Sequence, residues 1–435
     1  MERSTSSFRR ATLRSRFQMD RKARNIDVII IGAGHAGLAM SARLSSAQVE
    51  HVVLEAGDIG QRWRRERWDS LSLLTPNWTL DLPEQSYAGQ HPDGYMHKDE
   101  LADHLEGYAK HIRAPVKRDT RVHRVGAAGE RYCVTTTQGE WFCRAVVLAT
   151  GAYAEAKVPK IAESLPASVS QVTARDYRRA EDLPAGKVLV VGGSATGLQI
   201  AQELNAAGRE VILAVGEHVR MPRQIAERDV YWWLMKSGVF WETTAQMDDL
   251  NRARRVPSPQ LVGQPGRDLN LNQLQDQGIE IVGRFAGICN STAQFSGNLP
   301  HLCKSADLKM HRLLQRFAQS APDILDPAAL EFSPTQLARS RLAVKLDDEI
   351  NVVLWATGFK PDYSWLDLDV FDGKGNLQHD GGVVCAPGIY ALGLPLMRRR
   401  ASTFIAGTAG DTQALVQHLH RHLDTKAHRI AVGGG

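Results

Sequence analysis

The chain has 435 residues, 43% hydrophobic and 23% charged, which is the composition of a large globular protein with core enough for two domains. No apolar run approaches the ~18 residues of a membrane span and no signal peptide precedes the first strand, so no membrane-spanning helix is expected. The net charge is +5, and five cysteines (Cys133, Cys143, Cys289, Cys303 and Cys385) stand apart with no CxxC, a set that suits reduced thiols in a cytoplasm.

Residues 1–25 carry Arg9, Arg10, Arg14, Arg16, Arg21, Lys22 and Arg24 with few acids and no apolar core. A disordered basic extension is expected there, ahead of a transit peptide or a nucleic-acid arm, and Met19 is an alternative start. The stretch from Asp27 to Met40, DVIIIGAGHAGLAM, is the most informative in the chain. Val28 to Ile31 suits a buried strand, and Gly32, Gly34 and Gly37 follow as GxGxxG, opening a helix through Leu38, Met40 and Leu44. Gly32 permits a tight turn, Gly34 lets the backbone approach a pyrophosphate, and Gly37 lets helix and strand pack closely. The helix N-terminus offers N–H groups and positive dipole charge to the anion. A second strand, His51 to Leu54, ends in Glu55, roughly 20 residues on, where a carboxylate can accept hydrogen bonds from a ribose.

Val146 to Leu148 is a further buried strand, ending in Ala149, Thr150 and Gly151. A glycine there lets the backbone pass close to a cofactor or take a positive φ. The pattern then returns. Lys187 to Val191 is an apolar strand followed by Gly192, Gly193, Ser194, Ala195, Thr196 and Gly197, and a helix through Leu198, Ile200, Ala201 and Leu204. Ser194 stands where the middle glycine would be, so the backbone approaches its ligand less closely or the hydroxyl itself donates to a phosphate. At the end of the next strand, Glu210 to Val215, no carboxylate occupies the place of Glu55. Arg220 and Arg223 follow, which favours a ribose carrying a 2′-phosphate and hence NADP(H) over NAD(H); Glu217 opposes this, and a solvated basic loop is the alternative.

Tyr231, Trp232, Trp233, Phe240 and Trp241 concentrate aromatic rings, which either wall an apolar substrate pocket or pack as ordinary core. A helix from Ala306 to Ala318 with Leu308, His311, Leu314 and Phe317 on one stripe is expected in the same insertion. Val352 to Trp355 followed by Ala356, Thr357 and Gly358 repeats the earlier strand and turn, and Gly388 to Gly393 reads as a strand and turn before a closing helix, Thr412 to Leu423. Arg398, Arg399 and Arg400 do not amount to a nucleic-acid patch. His418 and His422 share a helix face but lack a third ligand, so no metal is expected.

Two dinucleotide units imply electron transfer between two cofactors, one of them flavin, on duplicated three-layer domains. The chain resembles the class B flavin-dependent monooxygenases, among them the N-hydroxylating, Baeyer–Villiger, flavin-containing and auxin-forming enzymes, and within them the bacterial CzcO-like flavoproteins. The resemblance runs from Asp27 to Leu423 on GAGHAG at Gly32, Glu55, Gly60-Gln61-Arg62-Trp63-Arg64, Leu74-Thr75-Pro76, ATG at Ala149 with Val158-Pro159, the turn at Gly192, and ATGFKPDY at Ala356. It implies an α/β fold of two Rossmann-like dinucleotide-binding domains, the second inserted in the first: FAD on residues 26–160 and 357–430, NADPH on 161–356, with a helical and aromatic insertion at 225–320. It also implies that NADPH reduces FAD, that O2 adds at flavin C4a, and that the product oxygenates a small molecule. The cofactor carries that chemistry, so no side-chain nucleophile is required.

The resemblance places Trp63, Thr75, Pro76 and Asn77 beside the flavin and pyrophosphate. Asn77 and Thr75 are the catalytic candidates, with a turn role after proline as the alternative for Asn77. Thr150, Gly151 and Gly358 join the cofactor-binding set. Thr173 occupies the histidine position of the family's Phe-x-Gly-x-x-x-His, which argues against a Baeyer–Villiger enzyme. The scattered cysteines exclude a flavoprotein disulfide reductase. The expected partners are a small-molecule substrate and O2, without nucleic acid, and a homodimer is allowed. Two alternatives stand beside the monooxygenase: an NADPH-dependent flavin oxidoreductase serving a quinone or protein acceptor, and a non-catalytic nucleotide-sensing flavoprotein.

Overall fold

The structure is a computed structural model that describes residues 24–326, 330 and 332–432. Met19 and residues 1–23 of the basic stretch lie outside the described residues. Arg24 and Asn25, placed in the extension by the sequence reading, begin the first strand.

The first unit is built around β1 (Arg24–Ile31), followed by α1 (His35–Ser46) and β2 (His51–Leu54). Val28, Ile29 and Ile30 have no exposed surface, as their unbroken β-branched run requires of a strand covered on both faces. Helix α2 (Lys98–His111) leads to the short β3 (Val116–Lys117), and a meander of β4 (Val122–Ala128), β5 (Arg131–Thr136) and β6 (Gly139–Leu148) follows. Strands run β4-β5-β6-β1-β2-β3 across the sheet, with β1 parallel to both β2 and β6.

The second unit has its own all-parallel sheet. It comprises β7 (Ser170–Thr173), β8 (Val188–Val191), α3 (Ala195–Ala206), β9 (Val211–Ala214), α4 (Val230–Lys236), β10 (Glu280–Val282), α5 (Leu299–Ser320) and β11 (Val352–Trp355). The strand order is β7-β11-β8-β9-β10. The chain then returns to the first sheet, where β12 (Ile389–Ala391) pairs parallel with the end of β6, and closes with α6 (Thr408–Val432). The fold is therefore α/β with two Rossmann-like units, the strands of one lying in sequence between strands of the other.

Two details differ from the sequence reading, and one of its alternatives is decided. Residues 225–320 are not one inserted block, because β10 is the edge strand of the second sheet. Of the two readings of the aromatic run, core packing holds for Tyr231, Trp233 and Phe240: Trp233 is fully buried and donates to the Ile225 carbonyl (2.8 Å), and the three pack with Phe317 and Phe404, while Trp232 is half-buried and Trp241 exposed. Helix α5 buries Cys303, Ala306, Met310, Leu314 and Phe317, while Leu308 and His311 are exposed, because the packed stripe includes Met310 in place of its neighbours. Among the described residues no helix is long and apolar enough to cross a membrane, and no cluster of potential metal ligands occurs.

Candidate functional site: two glycine cradles

The two fingerprints fold alike, contact for contact. Gly32 has φ +106°, and a Cβ on it would lie 2.6 Å from the Ala149 carbonyl oxygen; Gly192 has φ +138°, and its Cβ would lie 2.3 Å from the Ala356 oxygen. No side chain fits either turn. A Cβ on Gly37 would sit 1.9 Å from the Gly32 oxygen, and one on Gly197 1.8 Å from the Gly192 oxygen, so these glycines set the close approach of helix to strand. The ATG strands hold the turns in place: the Ala149 N–H donates to the Ile31 carbonyl and that of Ala356 to Val191, both at 2.9 Å.

Gly34 has a different task. It is the N-cap of α1, and nothing lies within 4 Å of a Cβ built on it. The open space sits where the helix N-terminus presents its free N–H groups, which suits a pyrophosphate. At the end of β2, Glu55 accepts from the Ala33 N–H (2.7 Å) and the Gly57 N–H (3.2 Å), which fixes its carboxylate beside the cradle. Polar atoms around this cradle are left without partners: Thr150 Oγ1 and His35 Nε2 are both buried and make no hydrogen bond. Burial lowers the His35 pKa to about 4, so its ring is neutral at pH 7. Arg62 donates to the Thr150 carbonyl (2.7 Å), and Gly151, with φ +75°, faces open space.

Asp411, in the first turn of α6, adds a buried carboxylate. Arg399 Nε lies 3.2 Å from it, yet neither carboxylate oxygen is aligned for a hydrogen bond, and burial raises its pKa. Its place just after Gly410 was visible in the sequence, but nothing there marked it as buried.

In the second unit Ser194 occupies the N-cap position of α3, with no capping hydrogen bond from its side chain. Its hydroxyl is free to donate. Gly358, with φ +92°, opens the turn after β11 as Gly151 does after β6.

Trp63 packs against the cores of both units, so it stands at their junction. Thr75 is half-buried, and its hydroxyl makes no hydrogen bond among the described residues. Asn77 is buried and fully engaged: its amide donates to the His91 carbonyl (3.0 Å) and accepts from the Met96 N–H (2.9 Å). This is the turn role, and it leaves little of the amide for a ligand.

The arginine pair requires correction. Arg223 has no exposed surface; it bonds Asp229 (2.8 Å) and the Leu74 carbonyl (2.9 Å) and lies between the rings of Tyr95 and Tyr231. Arg220 is 9% exposed and bonds Asp307 at 2.7 Å. Arg223 is matched to Asp229, six residues on, and Arg220 to Asp307 of α5, so both guanidinia are engaged by carboxylates of the protein itself. Arg399 and Arg400 are likewise ion-paired, with Asp411 and Glu242. Of the i, i+4 histidine pair, His418 meets the Tyr390 hydroxyl (3.0 Å) and His422 the Arg144 carbonyl (3.4 Å).

A curated protein of Geobacillus kaustophilus, described as an uncharacterized oxidoreductase CzcO-like, is 31% identical over 400 residues, covering 91% of this chain and 99% of the relative. The chain belongs to the CzcO-like oxidoreductases. The family model described as pyridine nucleotide-disulphide oxidoreductase matches residues 29–234, the stretch that carries both cradles. Indole-3-pyruvate monooxygenase YUCCA4 of Oryza sativa is 26% identical, with 90% of this chain and 88% of that one covered. Among solved structures, a flavin-containing monooxygenase from Stenotrophomonas maltophilia shares the fold with a TM-score of 0.64 at 22% identity, over 92% of this chain and 99% of that one. In this CzcO-like oxidoreductase all five cysteines are free and none lies in a CxxC.

Proposed function

We propose that this CzcO-like oxidoreductase is an FAD-containing, NADPH-dependent monooxygenase acting on a small organic substrate in the cytoplasm. The observation that carries the reading is the duplicated cradle: in each unit a strand with parallel neighbours ends in a glycine turn of the same geometry that leads into a helix N-terminus. Two dinucleotides are the ligands that such a pair fits. The likeness to a protein named indole-3-pyruvate monooxygenase supports oxygenation as the outcome.

In the first unit Gly34 admits the FAD pyrophosphate, Glu55 accepts from the ribose, and Thr150 and His35 supply the buried polar atoms that otherwise lack partners. In the second, Ser194 donates to the NADPH pyrophosphate. Bound flavin supplies the redox chemistry, accepting a hydride and passing electrons to O2. The protein's part is to hold the two cofactors at the junction marked by Trp63 and to exclude water there. Rapid mixing of the NADPH-reduced enzyme with O2 tests the oxygenase reading: an absorbance transient distinct from both reduced and oxidised flavin is expected. Direct return to the oxidised spectrum would favour an oxidoreductase that serves another acceptor.

A further inference from the structure

The 2′ end of the nucleotide in the second unit needs a recognising residue, and the two arginines nearest in sequence are buried in ion pairs. The duplication shows where to look. In the first unit the residue directly after β2 is Glu55, bonded to the Ala33 N–H. The equivalent residue after β9 is Val215, an apolar side chain packed under the second fingerprint, 2.7 Å from where a Cβ on Gly193 would lie. The acid that holds a ribose hydroxyl is thus absent, and the next residue, Gly216, has no side chain.

The space over Gly216 is taken by Arg284. Strands β9 and β10 run parallel with Ala214 beside Val282, and the Val215 N–H donates to the Val282 carbonyl (2.9 Å). Two residues past those partners, Gly216 and Arg284 lie side by side: a Cβ on Gly216 would be 3.6 Å from Arg284 Cγ and 3.8 Å from Cδ. The turn is fixed, because His218 Nδ1 donates to the Gly216 carbonyl (3.0 Å) from a nearly buried ring. Arg284 is exposed, and no carboxylate among the described residues pairs with it. The acid on the same rim, Glu217, is engaged by Lys309 at 2.9 Å.

We infer that Arg284 reads the 2′-phosphate of the nicotinamide nucleotide and so selects NADP(H) over NAD(H). This rests on the second unit being the nicotinamide-nucleotide domain. A planar guanidinium matches a phosphate in two parallel hydrogen bonds, and its stem is already aligned by the shelf that Gly216 leaves. Arg284 is a specificity-determining residue contributed by the neighbouring strand in place of one on β9's own turn.

Calorimetric titration of the FAD-loaded full chain with 2′,5′-ADP and with 5′-AMP tests this without turnover. The unaltered protein should prefer 2′,5′-ADP by at least about tenfold. Arg284→Ala should lose about 10- to 100-fold in affinity for 2′,5′-ADP and leave 5′-AMP unchanged, with Arg284→Lys between the two. Preference retained in Arg284→Ala, or equal binding of both probes by the unaltered protein, would overturn the inference while leaving the two-cofactor reading standing. Failure of the unaltered protein to bind either probe would overturn that reading as well.

Discussion

Arg223 and Asp229 form an ion pair (2.7 Å) in which the arginine has no exposed surface. The same guanidinium bonds the Leu74 carbonyl, so one side chain of the second unit ties down the segment that leads from Leu74 to Asn77 in the first. Breaking a buried pair leaves the partner charge stranded. Arg223→Met should cost about 3–5 kcal/mol of stability, seen as a lowered thermal midpoint, whereas the ratio of NADPH to NADH affinity should stay unchanged. A changed nucleotide ratio with unchanged stability would restore Arg223 to the nucleotide site.

Gly34 and Gly37 lie three residues apart but answer to different constraints, and this predicts opposite phenotypes. A side chain at Gly34 meets nothing, so Gly34→Val should fold and purify without flavin, with the thermal midpoint of the flavin-stripped unaltered protein. A side chain at Gly37 meets the Gly32 oxygen at 1.9 Å, so Gly37→Val should yield little folded protein. Full flavin occupancy in Gly34→Val would contradict the cradle's role.

Burial lowers the pKa of His35 to about 4 and also lowers those of His51, His104, His218 and His379. Such histidines are neutral in the folded protein and take up protons more readily when unfolded. Stability is therefore present above the ordinary pKa near 6.5 and is lost as pH falls from there towards 4, by up to about 3 kcal/mol for His35 alone. Asp411 acts the other way: its raised pKa means that its protonation on acidification relieves a buried charge. The shift of His35, to about 4, acts in the same direction as those of the other four histidines, so the thermal midpoint should drop between pH 7 and pH 4.5, less steeply in His35→Asn. A flat profile over that range would contradict the burial of these rings.

Much of the site was legible in the sequence because it depends on local requirements. Gly32, Gly37, Gly192 and Gly197 are needed by backbone geometry within a few residues, and the runs Val28–Ile31 and Val352–Trp355 announce strands covered on both faces. What was not legible depends on how the chain folds back on itself. Arg220 and Arg223 look like a free basic pair until Asp307 and Asp229 are brought to them by α5 and by the turn before α4. Asn77 looks available until His91 and Met96 close on its amide. Arg284 gave no signal, since only the pairing of β9 with β10 sets it over Gly216. The aromatic run could be told from a pocket wall only by its burial against Phe317 and Phe404.

The central claim is that both cradles carry dinucleotides that exchange electrons. The most direct measurement is the visible spectrum of the purified protein, followed by anaerobic mixing with NADPH and, separately, NADH. The account predicts a yellow protein with an oxidised-flavin spectrum that bleaches faster and at lower concentration with NADPH. A colourless protein, or a flavin that neither nucleotide reduces, would contradict it.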